Sequence, residues 1–397
     1  MKRYLIYGAV ARPPDRPSWF VRLRGRATDT LKAARDIDSV RRGNVDVLDY
    51  RNYLHPGAAN VGDIAISRSV AKMIQIADPN AAIAFANWGE FDRLDIAGAS
   101  HSTVVVAGSG YLPIGKDGRL SDRLTTDAEC FNRWQSKVIL LGIGVNRPQA
   151  DTPTQPTADI DEVNRSAVAN ILARATHCSV RDEFSVEFLR RMTERHVELL
   201  GDPALHLAAL TGITRGQRVN RPAPVVGVNF SFHGPSSTEL LRRNFFEYVS
   251  ALKQLSELTG CQFRYFVHFD TEALIPKLLR TCGISIEVVA GDPEYLCSEY
   301  AKLDLHICGM LHSCILASSV DTPCVALAYD IKHRGFLNLF GLGEYCLPAA
   351  NIKASEIVAA AQSALHQQTQ IRSQLSIKRI ELEQKTKQFV AQSLTDG

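Results

Sequence analysis

The sequence predicts an α/β protein: two strand–helix domains face a cleft, and a long C-terminal helix closes the chain. Three observations carry this. Short apolar runs alternate with amphipathic stretches from Val45 to Tyr329, the pattern of βαβ units and parallel sheets. The segment Gly212–Pro224 is polar and rich in Arg, Gly and Pro, and divides those units into two sets. Beyond Ala354, to about Ser393, Ile357, Ala361, Leu365, Ile371, Leu375, Ile380 and Leu382 punctuate one polar-striped helix.

Composition fits that frame. A chain of 397 residues, 45% hydrophobic, has material for two domains. Its formal charge is +3, from 45 basic and 42 acidic side chains, so nothing argues for a nucleic-acid partner. Nine cysteines without a CxxC pair read as buried free thiols in a reducing compartment. No apolar run reaches the length of a bilayer span, so a soluble, cytoplasmic protein is expected.

Residues 1–44 read as a basic N-terminal arm. Arginines dominate, Pro13, Pro14 and Pro17 oppose early helix, and Trp19, Phe20, Val21 and Leu23 interleave. Tyr4–Val10 is a strand or a loose part of the arm. A solvated arm packing its aromatics on the first domain is the plain reading. Peripheral contact with an anionic membrane surface, at the inner face where a lipid-linked sugar would be met, is the functional one.

The first domain, 45–213, should open with a strand at Val45–Tyr50. A small-residue loop, His55–Asp63, leads into a helix at Ile64–Ala77, an arrangement that presents amides to a ligand. Asp63 is either a capping residue or a site residue. Strands follow at Ala81–Phe85, Thr103–Ala107 and Lys137–Gly142. The glycines of Gly108-Ser109-Gly110 and Gly142-Ile143-Gly144 permit close backbone approach. Arg147–Asp159 is a long polar loop, a lid or a disordered segment. Asp161–Ala175 is a helix, Thr176–Val180 a strand, and Phe184–Met192 a helix; Arg181 therefore stands at a strand's carboxyl end. A salt bridge to Asp182 or Glu183 is its plain alternative.

The second domain, 222–350, should hold strands at Val225–Phe230, Gln262–Val267, Ile284–Val289, Leu305–Cys308 and Cys324–Tyr329, with helices at Asn244–Thr259, Glu272–Leu279, Pro293–Lys302 and Cys314–Val320. Two such Rossmann-like domains, with the helix over 354–393, make a GT-B-like architecture. Ligands of open α/β sheets bind outside the carboxyl ends of strands. His312 follows one such end; Asp330, Lys332, His333 and Arg334 follow the next. The rim suits an anion. No zinc spacing, Walker lysine, GxSxG or GxGxxG is present, and Cys308 and Cys314 read as core.

Several short pieces, in shared order from about Asp46 to Leu342, resemble the polysaccharide pyruvyl transferases: Asn60-Val61-Gly62-Asp63, Gly108-Ser109-Gly110, Leu141-Gly142-Ile143-Gly144, Val180-Arg181-Asp182-Glu183-Phe184-Ser185, Gly201-Asp202-Pro203-Ala204, Leu311-His312-Ser313 and Tyr329-Asp330-Ile331-Lys332. The resemblance implies a metal-independent enzyme without a cofactor, taking phosphoenolpyruvate as co-substrate. The pyruvyl group would pass to a saccharide acceptor, lipid-linked or not, as a ketal in extracellular or cell-surface polysaccharide biosynthesis, with phosphate released. It implies Arg181 and Lys332 as anion holders, with Leu311, Asn60, Gly110 and Arg334 also lining the substrates. His312 and Asp63 would divide the acid and base roles, His312 at the donor and Asp63 at the acceptor hydroxyl. The chain departs from the family at one point: Met310 precedes Leu311-His312 where an arginine is common. Two alternatives follow, a GT-B glycosyltransferase using a nucleotide sugar and a non-catalytic relative.

Overall fold

The computed structural model describes residues 2–9, 26–55, 60–90, 103–115, 118–133, 137–147, 160–214 and 221–395. Two six-stranded sheets organise them, every strand pairing parallel to its neighbours.

Up to the polar divide the chain runs β1 (Arg3–Gly8), α1 (Arg26–Arg41), α2 (Val61–Ala77), β2 (Ala82–Asn87), β3 (Thr103–Ala107), β4 (Leu112–Pro113), α3 (Arg123–Arg133), β5 (Lys137–Ile143), β6 (Val145–Asn146), α4 (Glu162–Arg174), β7 (Ala175–Val180), α5 (Glu183–Arg190), β8 (Glu198–Leu199) and α6 (Leu207–Leu210), all but α1 making the first domain. Its sheet order is β2-β1-β3-β5-β7-β8. The second runs β9 (Val225–Asn229), α7 (Pro235–Thr259), β10 (Gln262–Phe266), α8 (Ile275–Thr281), β11 (Ile286–Val289), α9 (Pro293–Tyr300), β12 (Leu305–Cys308), α10 (Leu311–Ser318), β13 (Cys324–Ala328), α11 (Ile331–Leu339), β14 (Cys346–Pro348) and α12 (Ala354–His366), with sheet order β11-β10-β9-β12-β13-β14. The last helix is α13 (Gln368–Thr395). The apolar runs are buried on both faces, as parallel strands under helices require: β3, β9, β12 and β13 are buried at every residue.

Four expectations need correction. Val45–Tyr50 is not a strand. Local bonds fold it into turns: Asn44 Oδ1 accepts from Asp46 N, Leu48 N donates to Val45 O at 3.1 Å, and Asp49 Oδ1, accepting from Arg51 N, caps a 3-10 turn at Tyr50–Tyr53. The strand alternative for Tyr4–Val10 holds as β1, so residues 1–44 are not simply an arm. Tyr4, Leu5, Ile6 and Tyr7 are almost wholly buried, and β1 sits between β2 and β3. β1 belongs to the first domain, whereas α1 packs against α8 of the second; residues 10–25, with Trp19 and Phe20, lie outside the described residues. The C-terminal helix is two helices, broken at Gln367. Leu365 and Ile371 stand six apart, off the three-or-four spacing that would carry one stripe through the break. Finally, α10 begins at Leu311, three residues before its expected start, so His312 lies within the helix rather than ahead of it.

The helix break redirects the chain. α12 packs on α7, whereas α13 returns to the first domain. There the Phe389 ring meets the His177 ring edge-on at 5.8 Å, and Lys2 Nζ donates to Leu394 O at 3.0 Å. Across the cleft, Val61 N donates to His268 O at 3.0 Å, Arg147 N to Asp330 Oδ1 at 3.3 Å, and Arg68 pairs with Glu294.

Candidate active site

The cleft face of the first domain is built at strand and helix ends. Asn60 caps α2, its Oδ1 accepting from Gly62 N at 2.9 Å. Asp63, in the first turn, is half-buried and accepts from Ser109 Oγ at 3.0 Å. Burial pushes its carboxyl up to about 6, with the Ser109 bond, Lys332 and Arg181 pulling the other way. Arg181, 4% exposed, follows β7. Its Nε meets Asp182 Oδ2 at 3.3 Å, and its Nη2 donates to Val145 O at 3.1 Å and Asn146 Oδ1 at 2.6 Å. The salt-bridge alternative for Arg181 is present: one edge of the guanidinium is committed to protein, and Nη1 has no hydrogen-bond partner among the described residues. Two glycines make room. A Cβ on Gly144 would stand 2.1 Å from Arg181 Nε, and one on Gly110 would stand 1.9 Å from Asn146 Nδ2.

The second domain supplies the histidine and the lysine. Asn229, fully buried, holds the turn before α10: its Oδ1 accepts from Met310 N at 2.9 Å, and its Nδ2 donates to Phe266 O and Glu272 Oε2, both at 2.9 Å. Leu311 is buried behind the turn. His312 is 8% exposed, and burial first, then Lys332 and Arg181, push its imidazole well below the ordinary range. Its ring lies against the first domain. A Cβ on Gly62 would come within 1.9 Å of its Cγ, so only glycine lets α2 approach. Asp330 caps α11, accepting from Lys332 N at 3.1 Å. The Lys332 ammonium sits 5.1 Å from the Tyr329 ring centre. Burial acts against its charge, yet Tyr329 and Asp330 carry it above its usual value.

Asp63, Arg181, His312 and Lys332 thus face one another electrostatically: Lys332 and Arg181 act on both Asp63 and His312. Asn60 caps the helix that carries Asp63, and Gly110 lies against Asn146, which accepts from Arg181. Arg334 does not join them. It lies about 200° around α11 from Lys332 and acts on Cys346, on the edge strand. Sequence reasoning missed two groups. Asp202 follows the short strand β8 and Gly201, whose φ is +83°, and its Oδ2 lies 3.9 Å from His312 Nε2. His233 lies close enough to Lys332 for the ammonium, after burial, to lower its imidazole. The signal for Asp202 was present as a glycine–aspartate–proline turn at a strand end; nothing in the sequence tied it to the histidine. Met310 is 3% exposed, a sealed apolar residue. Cys308, Cys314 and Cys324 bring their sulfurs within 4.8 Å of one another in the core. Cys308 Sγ and Cys324 Sγ donate to backbone carbonyls, as packed thiols do.

The sequence profile of the polysaccharide pyruvyl transferases matches residues 60–331, which is most of the chain; it includes Asp63, Arg181 and His312 and ends one residue before Lys332. The chain belongs to that family. No curated protein matches it. Among solved structures it is similar to a putative UDP-N-acetylglucosamine 2-epimerase from Listeria monocytogenes, at 12% identity over 94% of this chain and 90% of that one, TM-score 0.47. It is also similar to the E. coli ADP-heptose lps heptosyltransferase II, at 13% identity over 78% and 97%, TM-score 0.41. Among the described residues of this pyruvyl transferase family member, no helix is long and apolar enough to cross a membrane.

Proposed function

We propose that this protein transfers the pyruvyl group of phosphoenolpyruvate to a saccharide, forming a ketal across two hydroxyls and releasing phosphate without a metal. What supports this is the convergence of one guanidinium edge, one ammonium, one imidazole and one carboxyl over a single cleft. Phosphoenolpyruvate carries a phosphate and a carboxylate on three carbons, which suits Lys332 and Arg181 Nη1. Burial and two facing cations hold the His312 imidazole neutral. Donor anions would offset those cations, raise the imidazole pKa and make His312 an acid for the methylene carbon. Asp63, poised near 6, would take the proton of the attacking hydroxyl. Holding donor and acceptor across the cleft supplies further acceleration.

The acceptor in this proposal is a saccharide of a cell-surface or extracellular polysaccharide, met on the cytoplasmic side and lipid-linked at the inner membrane face. The test is phosphate release from phosphoenolpyruvate with candidate saccharides, alongside thermal melting. Phosphoenolpyruvate is expected to raise the melting temperature. Stabilisation by a nucleotide sugar instead would make this a glycosyltransferase, and stabilisation by neither would fit a non-catalytic member, the outcome Met310 would explain.

A further inference from the structure

We infer that Asp202 is the positioning residue of His312: its carboxylate receives the Nε2 proton across the domain boundary and leaves Nδ1 as the nitrogen offered to a ligand. The catalytic meaning of this pairing rests on the pyruvyl-transfer proposal; the pairing itself does not.

Asp202 is completely buried. Its Oδ1 is committed to Ala204 N at 3.0 Å, whereas its Oδ2 has no hydrogen-bond partner. His312 Nε2 is also buried without a partner, and the two atoms face each other at 3.9 Å. Two orphaned polar atoms in a buried site are costly apart and favourable together. A closure of about 1 Å brings them within the 2.7–3.2 Å of an ordinary hydrogen bond. Asp202 belongs to the first domain and His312 to the second, so that closure draws the domains together. On the Nδ1 side the ring abuts Gly62, where a Cβ would lie 2.1 Å from Nδ1, so only the absence of a side chain there leaves that nitrogen uncovered. A histidine held by a carboxylate on one nitrogen and free on the other is the arrangement by which a base is oriented in nucleophile–base–orienter sites. The groups facing the pair are Arg181 on both members, Lys332, His268 and His333 on His312, and Asp63 and Asp182 on Asp202.

The test is 15N-histidine NMR of the substrate-free protein, with the His312 resonance identified by its loss in His312→Gln. The neutral wild-type ring is expected as the Nε2–H tautomer. Asp202→Asn keeps the Oδ1 bond to Ala204 but turns a donor toward Nε2, so the tautomer should switch to Nδ1–H. With phosphoenolpyruvate, calorimetry should give a Kd within threefold of wild type in Asp202→Asn, while turnover drops at least 30-fold and the alkaline limb of its pH profile, set by the acid His312, moves to lower pH. A wild-type Nδ1–H tautomer, or a tautomer and pH profile unmoved by Asp202→Asn, would overturn the pairing and leave Asp202 as a turn cap. If wild type fails to bind phosphoenolpyruvate, the donor proposal falls while a tautomer switch still upholds the pairing.

Discussion

At the level of single residues, the cleft is a balance of charge against burial. His312→Ala and Lys332→Ala should each abolish phosphate release with circular dichroism unchanged; normal rates in either would remove that residue from the chemistry. Donor binding should also draw a proton into the protein, because anions beside Lys332 and Arg181 raise the His312 pKa. Calorimetry of phosphoenolpyruvate in two buffers of different ionisation enthalpy should therefore show net proton uptake near pH 7. Asp63 offers a check on stability. Its folded pKa, near 6, lies above its unfolded value of 3.8, so the folded state holds more protons between those limits and stability declines as pH rises through them. Asp63→Asn should raise the melting temperature at pH 7, leave it unchanged below pH 3.5, and cut turnover at least 100-fold. Four of these residues were legible from strand ends and motif order. Arg334 was misread because sequence proximity to Lys332 says nothing of the helix phase, which turns the two side chains apart. Asp202 was missed because its partner lies 110 positions away, in the other domain.

At the level of elements, the cleft depends on how helices begin. α2 starts at a capped end with Gly62 in its first turn, and the missing side chain is what the His312 ring fills. Gly62→Ala places a Cβ 1.9 Å from a rigid part of that ring, so either the ring or the domain must move. The expected outcome is a loss of turnover of at least 100-fold with secondary structure retained, read by the same phosphate assay and far-ultraviolet circular dichroism. Asn60→Ala removes only the cap and should cost about 1 kcal/mol of stability. Strands were the most legible elements, since short apolar runs between turn residues admit few readings; β3 and β12 lie where the sequence put them. Val45–Tyr50 failed because Asn44 and Asp49 satisfy the backbone locally, a competition that apolar content does not register. The strand alternative for Tyr4–Val10 holds, as β1; flanking arginines and prolines are what make its neighbourhood read as an arm.

At the level of the whole molecule, the two-domain plan was legible from alternation and the polar divide, but the return of the chain was not. α12 completes the second domain; α13 crosses back, with Phe389 packed on His177 and Leu375 and Leu382 buried. Phe389→Ala should therefore weaken the first domain although the residue lies in the last helix, by about 3–5 kcal/mol in chemical denaturation. The crossing also fixes an order of events during synthesis. A ribosome makes the chain from its amino end, so the first sheet emerges early, with the groove meant for α13 still bare. The whole second domain is translated before the covering helix appears. The first sheet must wait through that interval with apolar surface open to chaperones, and a transcript cut short after α12 would yield a finished second domain tethered to an unfinished first.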